Sequence, residues 1–431
     1  MDTKSYSFEP KDYVTDEEYE YAVTSRPIIS MVANVTDACN FKCRYCFTHP
    51  NPRVMSLETG KKLINMLIEQ SVKWKGSGSF SPQFYFFGGE PMLRYEEFIK
   101  PIILWAEEKG YVKNNNLQFG MTSNGSLFNE ERCKFLSDHD CTLLLSIDGD
   151  APTQDSQRPT CSGVSSSSVV FKNIPLILKY WPEVTFRSTI EPYNADKLLD
   201  NYLFARKEGF RNYFVCPNAF SEDWTENAIE TVLGQLALIE SVFFRDLVNG
   251  NTILRWSEID REILRIFLGD IDQNAHVHPM ERLFRCGLGT TSLGVSPNGD
   301  FFGCQEHNTY GAENPEDIFL IGNIDTGIDK ERHLKLLNSY VKSLNGRHSI
   351  DRNDRCKICS FKGRCSGVSC LSREFDFGDI GNRPTINCVW HDFLRRSVRL
   401  LVPEFLKTPE YKKQFEKYLM ELVDGPLGGK W

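Results

Sequence analysis

No stretch of the 431-residue sequence stays apolar over the roughly 20 residues that a membrane-spanning helix needs. Residues Met1 to Arg26 are acidic and tyrosine-rich, where a secretory signal would be basic and apolar. The expected location is therefore the cytoplasm. Lysine and arginine (50) are outnumbered by aspartate and glutamate (58), the formal net charge is -8, and no basic run breaks the mixture of signs. That balance argues against nucleic acid and against a membrane surface as partners. There is no internal repeat, and no low-complexity tract beyond Ser165 to Ser168.

Cysteine is not scarce: there are 14. A reducing compartment does not sustain a disulfide framework, so most of these thiols are expected to be ligands. Three of them lie within the eight residues Cys39-Asn40-Phe41-Lys42-Cys43-Arg44-Tyr45-Cys46, directly after the apolar run Ile28 to Val35. Missing here is a fourth cysteine nearby, since none follows until Cys133. A closed ferredoxin or zinc site wants four ligands. Three close thiolates hold three irons of a 4Fe–4S cube and leave the fourth iron open for a partner; a zinc site or a structural cluster is the plainer alternative.

An α/β rhythm begins with that apolar run. Strand-like segments occur at Ile28 to Val35, Gln83 to Phe87, Leu117 to Thr122, Thr142 to Ile147, Val184 to Ile190 and Asn212 to Cys216. Between them lie amphipathic patterns at Leu57 to Trp74, Tyr95 to Glu108, Glu130 to Asp138, Ser167 to Tyr180 and Ala195 to Glu208. Six such alternations predict a parallel sheet curled as a partial (β/α)6 barrel of TIM-like type, with chemistry at the carboxyl ends of the strands. The expected division is an amino-terminal segment 1–27, a core 28–220, a helical bridge 221–285, a cysteine-rich module 286–390 and a carboxyl-terminal helix 391–431. The helical stretches in the last parts are Ala228 to Val248, Trp256 to Leu268 and Phe393 to Leu422. The cysteine-rich module has little apolar periodicity and is expected to be held by metal.

The spacing C-x3-C-x2-C, with an aromatic residue before the third cysteine, resembles the radical S-adenosylmethionine superfamily. In that family the open iron chelates the methionine amine and carboxylate, and an electron from the cluster cleaves the sulfonium to give a radical that abstracts a substrate hydrogen. Further motifs extend the resemblance. Gly88-Gly89-Glu90-Pro91, after the second strand, resembles the GGEP motif that contacts the methionine amino group. Its glycines would let backbone approach a ligand closely, although the same residues make an ordinary tight turn. Ser123-Asn124-Gly125 and Ser146-Ile147-Asp148-Gly149, continuing through Asp155 and Arg158, look like segments whose polar side chains hold the ribose and the methionine carboxylate. Asn-Gly and Asp-Gly also form turns unaided. Arg158 suits a carboxylate because its guanidinium is planar, and Arg187 with Ser188 match a further cofactor-facing position.

Cys286, Cys304, Cys356, Cys359, Cys365, Cys370 and Cys388 resemble the SPASM extension, whose seven cysteines bind two auxiliary 4Fe–4S clusters. The resemblance implies three clusters in all. Cys39, Cys43 and Cys46 would hold the one that engages S-adenosylmethionine, Cys356, Cys359, Cys365 and Cys388 the outer auxiliary cluster, and Cys286, Cys304 and Cys370 the inner one. Cys370 arrives one residue later than the usual C-x2-C-x5-C-x3-C segment. The inner cluster is one cysteine short, so either a residue such as His278 fills the place or an iron stays open for substrate. A zinc ribbon is the rival for Cys356 to Cys370. Cys133, Cys141, Cys161 and Cys216 are expected to be ordinary thiols, with Cys161 alone worth testing for substrate contact.

SPASM proteins usually act on peptides, so the expectation is a peptide maturase acting on a ribosomally made precursor. An open inner cluster would suit a cysteine thioether crosslink, because iron prefers thiolate. Carbon–carbon crosslinking, epimerisation and anaerobic sulfatase maturation to formylglycine remain open, as does a non-enzymatic electron-transfer protein. An electron donor such as flavodoxin or ferredoxin is implied. The short amino-terminal segment leaves room for a separate leader-binding protein.

Overall fold

Residues of β1 (Ser30–Thr36) alternate between buried and half-buried before becoming wholly buried near the carboxyl end, as a strand covered on both faces must. It pairs in parallel with β2 (Gln83–Gly88), Ser30 opposite Gln83 and Asn34 opposite Phe87. β2 pairs in parallel with β3 (Gln118–Ser123), Gln83 opposite Gln118. Parallel pairing brings the carboxyl ends of the three strands to one edge. Thr36, Gly88 and Ser123, the last residues of these strands, therefore stand side by side.

The computed structural model describes residues 13–24, 27–48, 51–74, 81–218, 221, 223–268, 287, 289–307, 317–348 and 386–424. The chain divides into two compact units. The first comprises Met1–Leu144, Thr160–Gly163 and Val277–Arg383; the second comprises Leu145–Pro159, Val164–His276 and Pro384–Trp431.

In the first unit the strand order is β11-β10-β9-β8-β1-β2-β3, where β8 is Ser292–Val295, β9 Asp300–Phe302, β10 Leu320–Asn323 and β11 Gly327–Ile328. β8 joins β1 in parallel, and β8 to β11 run antiparallel to one another. Buried Phe84, Phe86, Phe98 and Phe119 pack the face of β2 and β3, with Phe86 stacked on Phe119 at 5.6 Å between centroids. Each such ring contributes roughly 1.5–3 kcal/mol by leaving water. The antiparallel strands and the helix Lys330–His348 have no counterpart in the sequence-based expectation. The helix had a signal: His333, Leu336, Leu337, Tyr340 and Val341 are buried at the spacing of one helical face.

In the second unit β5 (Thr185–Ile190) pairs in parallel with β6 (Asn212–Pro217), and β6 with the short β7 (Arg255–Trp256). β4 (Thr142–Ser146) carries the chain from the first unit into the second. Helices Glu226–Val248, Ser257–Leu268, Ile386–Phe405 and Pro409–Asp424 belong to this unit. Their carboxylates are held by hydrogen bonds: Trp390 Nε1 donates to the half-buried Glu258 at 2.9 Å, and Tyr418 to the buried Asp260 at 2.6 Å. The expected single helix Phe393 to Leu422 is thus two. The chain turns at Leu406 to Thr408, and Pro409, with no N–H to offer, begins the next helix. Proline also explains why the expected helix Tyr95 to Glu108 opens with a wide π turn, Tyr95–Ile99, before Pro101 starts regular helix. The expected helix Ser167 to Tyr180 is likewise broken, at Phe171–Asn173 before Pro175. No helix among the described residues is long and apolar enough to cross a membrane.

The helix Asp16–Thr24 docks on Lys330–His348. Val14 N–H donates to Asn338 at 2.7 Å, and the Tyr19 hydroxyl meets His333 Nδ1 at 3.3 Å. His333 is fully buried, and burial pushes its imidazole down to about 4. The unfolded chain takes up that proton near 6.5, so stability is present above that pH and drains away as pH falls. Denaturant titrations are expected to show about 2 kcal/mol lost between pH 7.5 and pH 5 from this residue alone. His333→Leu should flatten that part of the slope; an unchanged slope would contradict the assignment.

Candidate functional site

The cysteine loop leaves β1 through a rigid entry. Asp37 is fully buried, and its carboxylate takes Arg53 Nε at 2.6 Å and the side-chain amide of Asn34. Its own N–H donates to Arg53 O at 3.1 Å, and Ala38 N–H to Thr36 Oγ1 at 3.1 Å. Cys39 and Cys43 are half-buried and Cys46 is exposed. Phe41 N–H donates to Cys39 Sγ at 3.3 Å, the kind of bond that tunes a thiolate bound to iron. Burial nonetheless pushes the Cys39 thiol up to about 12, so metal binding there must displace a proton.

A second segment lies along this loop. Phe41 and Thr160 form an antiparallel bridge, Cys161 N–H donates to Asn40 O at 2.9 Å, and the exposed Cys161 thiol reaches Cys39 O at 3.6 Å. Cys161 thus stands beside the three-cysteine loop. Cys133 and Cys141 are buried, as expected of packing thiols.

The glycines after β2 are required by protein rather than by open space. Gly88 has φ +127°, and a Cβ there would fall 1.8 Å from Asn34 Oδ1. A Cβ on Gly89 would fall 2.2 Å from Ala38 O. Their bareness lets the backbone leading into Cys39 lie directly against β2, with Gly89 N–H donating to Thr36 O at 2.8 Å and Glu90 N–H to Ala38 O at 2.9 Å. Glu90 is buried and its carboxylate accepts three bonds: Met92 N–H at 3.1 Å, Ser123 Oγ at 2.8 Å and Asn124 N–H at 2.8 Å. Burial outweighs these donors and pushes Glu90 up to about 7. Pro91 begins the 3-10 turn that Glu90 caps. Asn124 directs its side chain to the cysteine loop, Nδ2 donating to Asn40 Oδ1 at 2.9 Å, while its Oδ1 accepts from Ser126 N–H at 3.0 Å and Ser126 Oγ at 2.6 Å.

Within the second unit another polar set gathers at the ends of β4 and β5. Asp148 is fully buried and pairs with Arg158 through Nε at 2.9 Å and a terminal nitrogen at 3.1 Å. The same carboxylate accepts Thr189 N–H at 3.0 Å, and Ser188 Oγ donates to Asp148 O at 2.9 Å. Arg158 thus turns at least its Nε and one terminal nitrogen to protein. Arg187 reaches Thr189 Oγ1 and Cys216 Sγ, the latter at 3.3 Å. Asp155 is held by Ser165, Ser166 and Ser167, which explains the serine-rich tract: burial raises this carboxyl, but those bonds bring it below the usual range. Ser146 closes β4, half-buried.

Cys39, Cys43 and Cys46 thus share a unit with Gly88, Gly89, Glu90, Pro91, Ser123 and Asn124, while Asp148, Arg158, Arg187 and Ser188 share the other. Cys304 and Cys388 are half-buried. Cys286, Cys356, Cys359, Cys365, Cys370 and His278 lie outside the described residues. Among the described residues no three His, Cys, Asp or Glu side chains are placed to hold a metal ion. A 4Fe–4S cube takes each thiolate on a different iron, so its donors stand further apart than those of one ion. The sequence reading missed Asn34, Asp37, Arg53, Asn40, Ser126 and Glu191. Glu191, just past β5, accepts from Asn218 at 2.7 Å and is pushed up by burial. Only Asn40, inside the cysteine motif, had a local signal.

Residues 33–205 match the Radical SAM superfamily. The cysteine-type anaerobic sulfatase-maturating enzyme of Clostridium perfringens (strain 13 / Type A) is 24% identical over 355 residues, 79% of this chain and 88% of that protein. The radical SAM cyclopropyl synthase TigE of Paramaledivibacter caminithermalis is 22% identical over 382 residues, 83% of this chain and 71% of that protein. The solved structure of anSMEcpe with bound AdoMet and the Cp18Cys peptide superposes with a TM-score of 0.65 at 21% identity, covering 87% of this chain and 98% of that one. Streptococcus suis SuiB bound to its precursor peptide SuiA gives 0.50 at 14% identity, covering 83% and 74%.

The contact between Gly89 and Ala38 can be tested directly. Gly89→Ala is expected to force the cysteine loop away from β2, at a cost of about 1–3 kcal/mol, and to lower the iron and sulfide retained after anaerobic reconstitution. Wild-type stability and iron content would show that the loop does not need this contact.

Proposed function

The chain carries a radical S-adenosylmethionine domain, and from that premise we propose that it is a peptide maturase that removes a hydrogen atom from a ribosomally made precursor peptide and forms a cysteine thioether, the thiol losing its proton and the remaining electron passing to a bound iron–sulfur cluster as carbon joins sulfur. The carrying observation is the Cys39–Cys46 loop, anchored to the ends of β2 and β3 through Gly89 and Glu90. When bound, a 4Fe–4S cluster and S-adenosylmethionine supply the one-electron chemistry and the hydrogen abstraction. Cys39, Cys43 and Cys46 would hold that cluster, with Phe41 N–H bonded to the first sulfur. Glu90 would receive the methionine ammonium, with Gly88, Gly89 and Pro91 shaping the turn beside it. Ser123, Asn124, Ser146, Asp148, Arg158, Arg187 and Ser188 are proposed around the rest of the cofactor. Glu90 and the Asp148–Arg158 pair are buried and already bonded to protein groups, so a ligand there would have to share or replace some of those bonds.

Support for a peptide substrate comes from the similar structures: anSMEcpe is bound to the Cp18Cys peptide and SuiB to its precursor peptide SuiA. The thioether reading rests on the proposed inner cluster of Cys286, Cys304 and Cys370, one cysteine short, and on Cys356, Cys359, Cys365 and Cys388 holding an outer one. Three clusters, a flavodoxin or ferredoxin donor and a separate leader-binding protein complete the proposal. A second reading, oxidation of a sulfatase cysteine or serine to formylglycine, is favoured by the likeness to the sulfatase-maturating enzyme along 79% of this chain.

Product mass separates them. Anaerobic turnover with cysteine-containing peptides encoded near the gene is expected to yield a product two hydrogens lighter whose thiol no longer alkylates. The same mass loss with a free thiol would indicate carbon–carbon bonding, and turnover only of sulfatase peptides would favour formylglycine. Replacing Cys39, Cys43 or Cys46 should abolish deoxyadenosine formation, whereas replacing Cys370 should spare it and impair product. Equal loss from both kinds of change would overturn that division.

The pH profile tests Glu90. With the Glu90 carboxyl near 7, only its ionised fraction can receive an ammonium, so S-adenosylhomocysteine is expected to bind about tenfold tighter at pH 8 than at pH 6. Glu90→Gln should bind weakly at both. A flat wild-type profile would remove Glu90 from the ammonium site.

A further inference from the structure

We propose that Asn40, lying between two of the proposed cluster ligands, is a positioning residue that sets the cysteine loop against the end of β3 without itself touching the cofactor; the proposal rests on the radical S-adenosylmethionine reading above. Asn40 is bonded on three sides. Its Oδ1 accepts from Asn124 Nδ2 at 2.9 Å, its Nδ2 donates to Ser126 Oγ at 2.9 Å, and its backbone carbonyl accepts from Cys161 N–H at 2.9 Å. Asn124 and Ser126 are themselves buried and cross-bonded, and Asn124 N–H goes on to Glu90. A continuous line of hydrogen bonds thus runs from Glu90 through Asn124 to the residue after Cys39.

An asparagine is the side chain this junction needs. It must accept from an amide and donate to a hydroxyl from one planar group, and neither aspartate nor leucine does both. Were Asn124-Gly125 only a turn, its side chain would be satisfied by Ser126 and need not reach a loop 84 residues away in sequence. Instead its amide is spent on Asn40. Groups of this kind, one step behind the ligands, fix ligand orientation and tune the metal.

The test uses full-length protein reconstituted anaerobically, with S-adenosylmethionine as the probe. Asn40→Ala is expected to keep the wild-type circular dichroism but to lose the change that S-adenosylmethionine makes in the reduced-cluster electron paramagnetic resonance spectrum. Its kcat for deoxyadenosine formation should fall about tenfold or more, with KM changed by less than about twofold. Asn40→Asp and Ser126→Ala each keep the bond to Asn124 and should recover part of both the spectrum and the rate, which also decides the matter if Asn40→Ala does not retain iron. A wild-type spectrum and rate in Asn40→Ala would overturn the proposal, as would no recovery in either milder variant. Wild-type protein that neither binds nor cleaves S-adenosylmethionine would instead sink the underlying reading.

Discussion

The close approach of the chain at Ala38 to the bare backbone of Gly89 is the contact on which the first unit's polar architecture depends. It is possible only because neither Gly88 nor Gly89 has a side chain, and it lets two backbone hydrogen bonds join the entry of the cysteine loop to the end of β2. Once that edge is closed, the Glu90 carboxylate is enclosed and must find donors within the protein. It finds them in Ser123 and Asn124 at the end of β3. Three strand ends are thereby tied, β1 to β2 by backbone hydrogen bonds and β2 to β3 by one buried carboxylate, and the loop of three thiols starts from that base.

Burying that carboxylate has a chemical consequence. Three hydrogen bonds do not offset its desolvation, and its proton affinity rises into the physiological range. A group in that state is poised to respond to a cation. The same economy recurs in the second unit, where Asp148 is enclosed with Arg158 and receives Thr189 as well.

The two units differ in what stabilises them. The first relies on an aromatic layer over β2 and β3 and on the buried Asp37–Arg53 pair behind the cysteine loop. The second adds a helical layer in which Glu240, Asp260 and Glu262 are buried and met by Ser397, Tyr418 and arginines from the chain's last helices. Removing one partner from such a set leaves a buried carboxyl without its hydrogen bond or counterion, which costs stability.

The order of strands and helices from β1 to β6, the three-cysteine loop and the glycine-glutamate segment were legible in the sequence because each is a local pattern. Period-two and period-3.6 burial, short cysteine spacing and paired glycines leave their mark within a few residues. The proline-broken helices were misread because apolar spacing continues across a proline that hydrogen bonding cannot cross. What only the tertiary structure decided are the meetings between distant residues. Arg53 comes to Asp37, Ser126 and Asn124 come to Asn40, Cys161 comes to lie along Cys39, and the glycines serve the protein's own backbone. A polar residue's type announces that it needs a partner, but which partner it finds depends on which strand ends the parallel sheet brings together.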